Sequence, residues 1–287
     1  MEKTALFLER VYTKYNRPEL ISPDPLEFLS RYDSQQDREA AALIAACFAY
    51  GNVKQILKNV NTILEKMPDG PHRFLLHSAP ARLHRTFKNF RYRFTGEEEL
   101  CAFLCAVKRV LKKYGSLQNC FLAHFHPQDE TVLPALRGFA RELRAGADLH
   151  SLIPDPDKNS ALKRLNLFLR WMVRKDAVDP GGWERVSPAH LIVPLDVHLH
   201  RIARKLKLTR RNAADMTAAM EITRAFKKCC PHDPVKYDFC LTRFGIRDDM
   251  DYENLDAFQQ CDRPQTSNAA RCKRRPRRSE NDILPNA

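Results

Sequence analysis

The chain has 287 residues, of which 44% are hydrophobic and 29% charged, a composition typical of a soluble globular protein with a buried core. No stretch approaches the roughly 18 consecutive apolar residues that a membrane span requires. The formal net charge of +13 favours a polyanionic partner, either nucleic acid or an anionic membrane surface. Residues 1–16 carry a short apolar patch interrupted by Glu9 and Arg10, which predicts an amphipathic helix rather than a signal peptide.

Apolar residues recur at helical spacing along most of the chain, and alternating β-branched runs are scarce, so we predict an all-α fold. Residues 37–66 predict two helices that are separated at Gly51-Asn52. Further helices are predicted over residues 97–114, 130–145, 213–228 and 235–244. From about residue 255 the apolar content falls and the string CKRRPRR follows, which indicates a disordered basic tail over residues 256–287.

Nine cysteines are present, an odd number, and no CxxC pair occurs among them. Without a signal peptide, this pattern favours reduced thiols in the cytoplasm over disulfides, an iron–sulfur cluster or a zinc finger. The cysteines are Cys47, Cys101, Cys105, Cys120, Cys229, Cys230, Cys240, Cys261 and Cys272.

A first segment that could carry chemistry is NSALKRLNLFLRWMVRKD, residues 159–176. Ser160 is a candidate N-cap, which places Lys163 in the first turn of an amphipathic helix. The positive end of the helix dipole disfavours an ammonium there, and partial burial would act in the same direction. We therefore expect a lowered pKa and more free amine for Lys163, although its position alone favours a solvated lysine on an amphipathic helix.

A second such segment is SPAHLIVPLDVHLHRIARKLKL, residues 187–208. Pro194 is expected to end an extended approach and open a helix, with Asp196 at the helix start, where its negative charge is favoured. An ordinary capping aspartate explains the same position. Asp196, His198 and His200 also suggest a metal site, but residues two apart on a helix point in nearly opposite directions, so we expect no metal there.

The string VPLDVHLHRIARKLKL resembles the segment that carries the catalytic aspartate in helix-hairpin-helix DNA glycosylases, roughly V-P-V-D-x-H-x-x-R-I-A-x-R-L. The matching residues are Val193, Pro194, Asp196, His198, Arg201, Ile202, Ala203 and Leu206. Residues 41–57 resemble the early helices that approach the flipped base in that superfamily. Residues 233–246 resemble its late helix, in which an acidic residue precedes an apolar run and a glycine.

Residues 1–250 as a whole resemble the DUF2400 family, bacterial proteins of unknown function, through the strings FAYGNVKQIL, KRLNLFLRWMVRKD and SPAHLIVPLDVH. The glycosylase resemblance implies one helical domain over residues 1–255, built as two halves with a cleft between them. The halves would be residues 30–150, and residues 1–29 together with 151–255. In the archaeal 8-oxoguanine glycosylase branch, a lysine at a helix start precedes the aspartate by about thirty residues, and Lys163 and Asp196 are 33 apart.

The resemblance implies a bifunctional glycosylase and lyase that removes oxidised purine, above all 8-oxoguanine, from duplex DNA after extruding the nucleotide. Lys163 would attack the sugar C1′ and form a Schiff base, and Asp196 would stabilise the positive charge that develops on the sugar. No metal or organic cofactor is needed for this chemistry. We expect a monomer in the cytoplasm, associated with the nucleoid, with double-stranded DNA and no membrane as its partner.

Other residues receive roles from the same resemblance. Tyr50, Asn52 and Gln55 are candidates to fill the vacated stack, and Phe168 or Trp171 could stack on the flipped base, although aromatics at helical spacing are usually core residues. The candidate phosphate contacts are Arg170, Arg174, Lys175 and Arg201.

One feature departs from the superfamily pattern. Its glycine-rich hairpin, L-P-G-V-G-x-x-T/K-A, binds phosphate through backbone N–H groups, whereas the stretch IPDPDKNSA before Lys163 has no glycine. This motivates a second hypothesis, a DNA- or RNA-binding protein that kept the scaffold and lost the chemistry. A third hypothesis is a basic helical protein that binds an acidic protein or a nucleotide-like small molecule.

Overall fold

The computed structural model describes residues 2–250 and residue 252, and this part of the chain is predominantly helical, which confirms the predicted all-α class. The predicted tail over residues 256–287 lies outside the described residues, as do Cys261 and Cys272. The α-helices are α1 Glu2–Tyr15, α2 Gln35–Cys47, α3 Val53–Glu65, α4 Pro71–His77, α5 Pro80–Thr86, α6 Glu97–Tyr114, α7 Leu117–Leu122, α8 Leu133–Arg144, α9 Lys163–Val173, α10 Val197–Lys205, α11 Met216–Cys229 and α12 Asp238–Ile246. Short 3₁₀ helices span Pro18–Leu20, Pro25–Arg31 and Pro188–His190, and a two-stranded hairpin pairs β1 Arg91–Tyr92 with β2 Thr95–Gly96.

Helix α2 is the central element of the core. Its nine residues from Glu39 to Cys47 are all buried, and five of them are alanines, whose small side chains let neighbouring helices pack closely around it. Helix α2 contacts α4, α9 and the 3₁₀ helix Pro25–Arg31. The carboxylate of Glu39 accepts hydrogen bonds from the Trp183 indole at 2.8 Å and from the Leu117 amide at 3.1 Å, so this buried charge is satisfied.

Helix α6 organises a second group of helices, since α4, α5, α7 and α8 all pack against it. Three glutamates occupy its first turn and two lysines its last, an arrangement that complements the helix dipole. Gly115 ends the helix with a left-handed φ of 80°, which a glycine adopts without strain.

The late helices complete the described structure: α10 packs against α12, and α1 packs against α11 and α12. None of the helices in residues 2–250 and 252 is both long and apolar enough to cross a bilayer. The seven described cysteines are free thiols. The division into two halves remains a prediction.

Two predicted helix starts are wrong in detail. Ser160 is not the N-cap of α9: Leu162 precedes Lys163 directly, with a left-handed φ of 47° and no capping side chain. Burial of the Leu162 side chain holds this strained conformation, which costs on the order of 1 kcal/mol. Pro194 does not open α10, because Asp196 is the N-cap and the helix begins at Val197.

Candidate active site

A cleft of about 740 Å³ lies where four stretches of chain meet. Its lining comes mainly from residues 49–56, 160–170, 194–198 and 238–248, with Pro23, Asp24, Pro25, Pro154 and Ala214 at the margins. Lys163, the first residue of α9, and Asp196, the N-cap of α10, both line it. Their charged atoms, Lys163 Nζ and Asp196 Oδ2, are 3.5 Å apart, and the side chains are 34% and 13% exposed.

The capping geometry explains the orientation of Asp196. One carboxylate oxygen, Oδ1, accepts the Leu199 amide at 2.8 Å, so Oδ2 is the oxygen that faces Lys163. Nearby, His198 Nδ1 is 2.9 Å from the Tyr252 hydroxyl, whereas the buried His200 directs Nε2 to the Arg211 carbonyl at 3.1 Å. Asp196, His198 and His200 thus have separate partners.

Tyr50 also lines the cleft, and several contacts hold it in place. Its hydroxyl is 2.7 Å from Thr95 Oγ1, and the Tyr92 hydroxyl donates to its carbonyl oxygen. The Arg164 guanidinium lies 5.3 Å from the centre of the Tyr50 ring, and Arg164 Nη1 donates to the Cys47 carbonyl at 2.9 Å. Burial lowers the pKa of Arg164, a cleft residue that the sequence analysis did not single out.

Asn52 and Gln55 are placed differently from each other. Asn52 is the exposed N-cap of α3, its Oδ1 accepts the Lys54 amide at 3.0 Å, and it lines the cleft. Gln55 is exposed on α3 and lines a neighbouring groove instead of the cleft. Of the three residues predicted to fill the vacated stack, two therefore border the cleft.

The prediction that Arg170 and Arg174 contact phosphate is not compatible with this structure, because each residue is 3% exposed and paired with buried carboxylates. Arg170 pairs with Asp179 and Asp238, and Arg174 with Asp176, Asp179 and Asp233. Buried guanidinium groups of this kind are tied to internal anions and hold the fold together.

Phe168 and Trp171 are also core residues and not base-stacking candidates, because both are completely buried. Phe168 stacks on Phe139 at 6.0 Å between ring centres and meets Trp183 edge-on at 5.2 Å. The other two predicted phosphate contacts, Lys175 and Arg201, are exposed. The Arg201 guanidinium lies 4.2 Å from the centre of the Tyr252 ring.

Asp238 is a cleft residue that the sequence analysis placed in the late helix without assigning it a role. Its Oδ2 accepts Arg170 Nη1 at 2.5 Å, while Oδ1 has no hydrogen-bond partner among the described residues. Burial raises the pKa of the Asp238 carboxyl to about 6, against the opposing effect of Arg170 and with a smaller contribution from the charge of Asp196. Beside it, Arg243 Nη2 donates to Asp24 Oδ2 at 2.6 Å.

This arrangement can carry out amine chemistry. A primary amine lies beside a carboxylate in a cleft, and a second carboxyl with an unpaired oxygen lies at the buried end. The acidic residue at the start of the late helix was the signal for Asp238. No local pattern marks Arg164 or Arg243, whose partners are distant in sequence.

Comparison with known proteins gives one assignment. No curated protein and no solved structure matches the chain significantly. One family model, described as a protein of unknown function (DUF2400), matches residues 24–247, which is more than half of the chain. This protein is therefore a member of the DUF2400 family.

Proposed function

We propose that this protein is a DNA glycosylase with lyase activity that removes oxidised purine, with 8-oxoguanine as the first candidate, through a lysine Schiff base. The observation that carries the proposal is the 3.5 Å approach of Lys163 Nζ to Asp196 Oδ2 on the wall of the cleft. The two residues are 33 positions apart and begin different helices, so sequence spacing alone does not require them to meet.

The chemistry assigns a role to each member of the pair. Lys163, as a neutral amine, attacks C1′ of an extruded nucleotide while the bond from C1′ to the base breaks, and the proton that the amine loses ends on the departing base. The C1′–O4′ bond then opens, O4′ takes a proton, and the lysine nitrogen forms the Schiff base with C1′. The Asp196 carboxylate stabilises the positive charge that develops on the sugar.

The buried end of the cleft supports a purine as the ligand. Asp238 lines the cleft, and its covered, unpaired Oδ1 becomes an acceptor for a ring N–H when the entering base displaces the side chains over it, because a buried oxygen without a partner gains most from a new donor. Tyr50, which Arg164 and Thr95 hold in place, lines the cleft and offers an aromatic ring for a base to stack on. The cleft volume of about 740 Å³ lies in the usual range for ligand sites.

The test is borohydride trapping on duplexes that carry 8-oxoguanine or an abasic site. Wild type is expected to form a covalent adduct, and Lys163→Gln is expected to form none. Lys158→Gln is the matched control, because Lys158 is an exposed lysine five residues before Lys163 and does not line the cleft.

Asp196→Asn tests the carboxylate separately from the fold. Asparagine caps a helix as well as aspartate does, so α10 is retained and the negative charge is lost. We expect trapping to slow by about 100-fold or more, since removing an electrostatic contact to a transition state costs this much.

A different result would favour the alternative that the protein binds DNA or RNA without catalysing a reaction. If wild type neither forms an adduct nor cuts any lesion duplex, yet binds DNA or RNA in a salt-sensitive way, the protein is a nucleic-acid-binding member of the same scaffold without the chemistry. An adduct that persists in Lys163→Gln would refute the assignment of the nucleophile.

A further inference from the structure

A second concave surface lies beside the cleft, between α3 and the segment 88–93, which runs into the β1–β2 hairpin. We call it the α3–hairpin groove, and its volume is about 570 Å³. It is lined by Asn52, Gln55, Lys58, Asn59, Thr62, Lys66, Lys88, Asn89, Phe90, Arg91, Tyr92 and Arg93. Five of these residues are cationic, none is acidic, and four carry side-chain amides, so the groove presents hydrogen-bond donors to an anion.

The cations of the groove differ from the buried arginines of the core. Lys58, Lys88 and Arg91 are exposed, and their side chains have no ion pair or hydrogen bond to another described residue. Lys66 is partly held, because its amine donates to the Thr86 carbonyl at 2.8 Å. At least three positive charges are therefore available to an external anion.

The groove and the cleft form one continuous surface with a fixed geometry. Asn52 lines both of them. The hairpin is attached to the cleft wall because the Tyr92 hydroxyl donates to the Tyr50 carbonyl and the Tyr50 hydroxyl meets Thr95. At the hairpin turn, Phe94 is 78% exposed, so an aromatic face stands next to the cations, a combination typical of nucleic-acid surfaces.

The face of α3 that lines the groove is about as long as a short stretch of a nucleic-acid strand. Gln55, Asn59 and Thr62 follow one stripe of α3, and Lys66 is its C-cap. The eleven-residue separation from Gln55 to Lys66 corresponds to about 16 Å of helix rise. This is roughly five steps along one strand of duplex DNA at about 3.4 Å each. Amide and ammonium side chains in such a row suit phosphate and sugar oxygens.

We propose that the α3–hairpin groove binds the sugar–phosphate backbone of a nucleic-acid strand that continues from the cleft. The inference rests on the proposed function for the identity of the strand as DNA. In this proposal the groove binds the phosphates that the buried Arg170 and Arg174 cannot reach.

The experiment compares two variants of the full chain that lose the same charge. The groove variant combines Lys58→Gln, Lys88→Gln and Arg91→Gln. The control variant combines Arg73→Gln, Lys112→Gln and Lys228→Gln, three exposed helix residues outside both the groove and the cleft. Binding to a fluorescent unmodified duplex is measured by anisotropy at several salt concentrations, and thermal melting verifies that both variants are folded.

The groove variant is expected to lose at least tenfold in affinity, and the slope of log K against log salt should decrease in magnitude by about 3. The control variant is expected to keep the wild-type slope. Equal losses in both variants would overturn the proposal, as would unchanged binding of the groove variant, absence of DNA binding by wild type, or displacement of DNA by polyglutamate at equal charge concentration. Because binding to an unmodified duplex needs no chemistry, failed trapping with a groove-dependent affinity would refute the glycosylase alone.

Discussion

The carboxyl group of Asp238 combines two properties that are rare together: it is buried, and one of its oxygens is unpaired. Its pKa of about 6 means that it ionises near neutral pH, whereas an exposed aspartate ionises near 4. Since the folded chain holds this proton more tightly than the unfolded chain, the contribution of Asp238 to stability is greatest below about pH 4. That contribution is lost as the pH rises through 6.

We expect the ionisation of Asp238 to determine how trapping depends on pH. A base that donates N–H groups binds the ionised carboxylate more strongly than the neutral carboxyl, so the yield of trapped adduct should rise with pH through about 6. Asp238→Asn keeps an oxygen for Arg170 but cannot ionise. The rise in adduct yield near pH 6 should therefore be absent from the pH profile of this variant. Trapping of both proteins between pH 5 and 8 is the measurement, and an unchanged rise in the variant would show that Asp238 is not the group responsible.

At the scale of elements, the contact between α10 and α12 positions Asp196, the aspartate to which we assign the charge-stabilising role. Gly245 of α12 lies against His198, two residues after Asp196, and against Tyr252. A Cβ at this position would collide with the His198 ring and would lie 2.5 Å from the Tyr252 hydroxyl. The two helices therefore approach as closely as they do because residue 245 has no side chain.

Gly245→Ala is accordingly expected to lower the free energy of unfolding by about 1–3 kcal/mol, the usual cost of overpacking, and to slow trapping by displacing the start of α10. Urea denaturation and the trapping rate measure the two effects. Gly96→Ala is the matched control, because a Cβ there meets no heavy atom of the described residues within 4 Å. The control should change stability by less than about 1 kcal/mol.

At the scale of the whole molecule, the positive charge is divided between the body and the end of the chain. Residues 262–287 hold seven Lys or Arg and three Asp or Glu, a net charge of +4, which leaves +9 on the rest. The α3–hairpin groove and the cleft both belong to the rest. We expect the end of the chain to add non-specific attraction and to take no part in the chemistry that we propose.

Deletion of residues 262–287 is therefore expected to weaken DNA binding modestly, by a few fold at moderate salt, and to leave the rate of adduct formation at saturating DNA unchanged. Anisotropy and borohydride trapping on the truncated chain test the two parts. Loss of the chemical step on truncation would show that this segment contributes to the active site.

Helical periodicity predicted much of the fold, and its failure at Arg170 and Arg174 has a physical cause. The prediction over residues 97–114 coincides with α6, and the break at Gly51-Asn52 separates α2 from α3. The spacing of Arg170 and Arg174 on α9 is equally compatible with an exposed basic face and a buried one. Two of the four carboxylates that decide between the two, Asp233 and Asp238, lie 59 and 68 residues further along the chain than the arginines they pair with, and periodicity carries no information about them.

From the sequence alone follow the helical class, the separation of Lys163 and Asp196, and the excess of positive charge, because these depend on residue identity and local spacing. The tertiary structure decided the rest, because burial and pairing depend on contacts between distant segments. It placed Lys163 Nζ 3.5 Å from Asp196, buried Phe168 and Trp171, and raised the pKa of Asp238. It also left Lys58, Lys88 and Arg91 exposed in a groove that no single stretch of sequence contains.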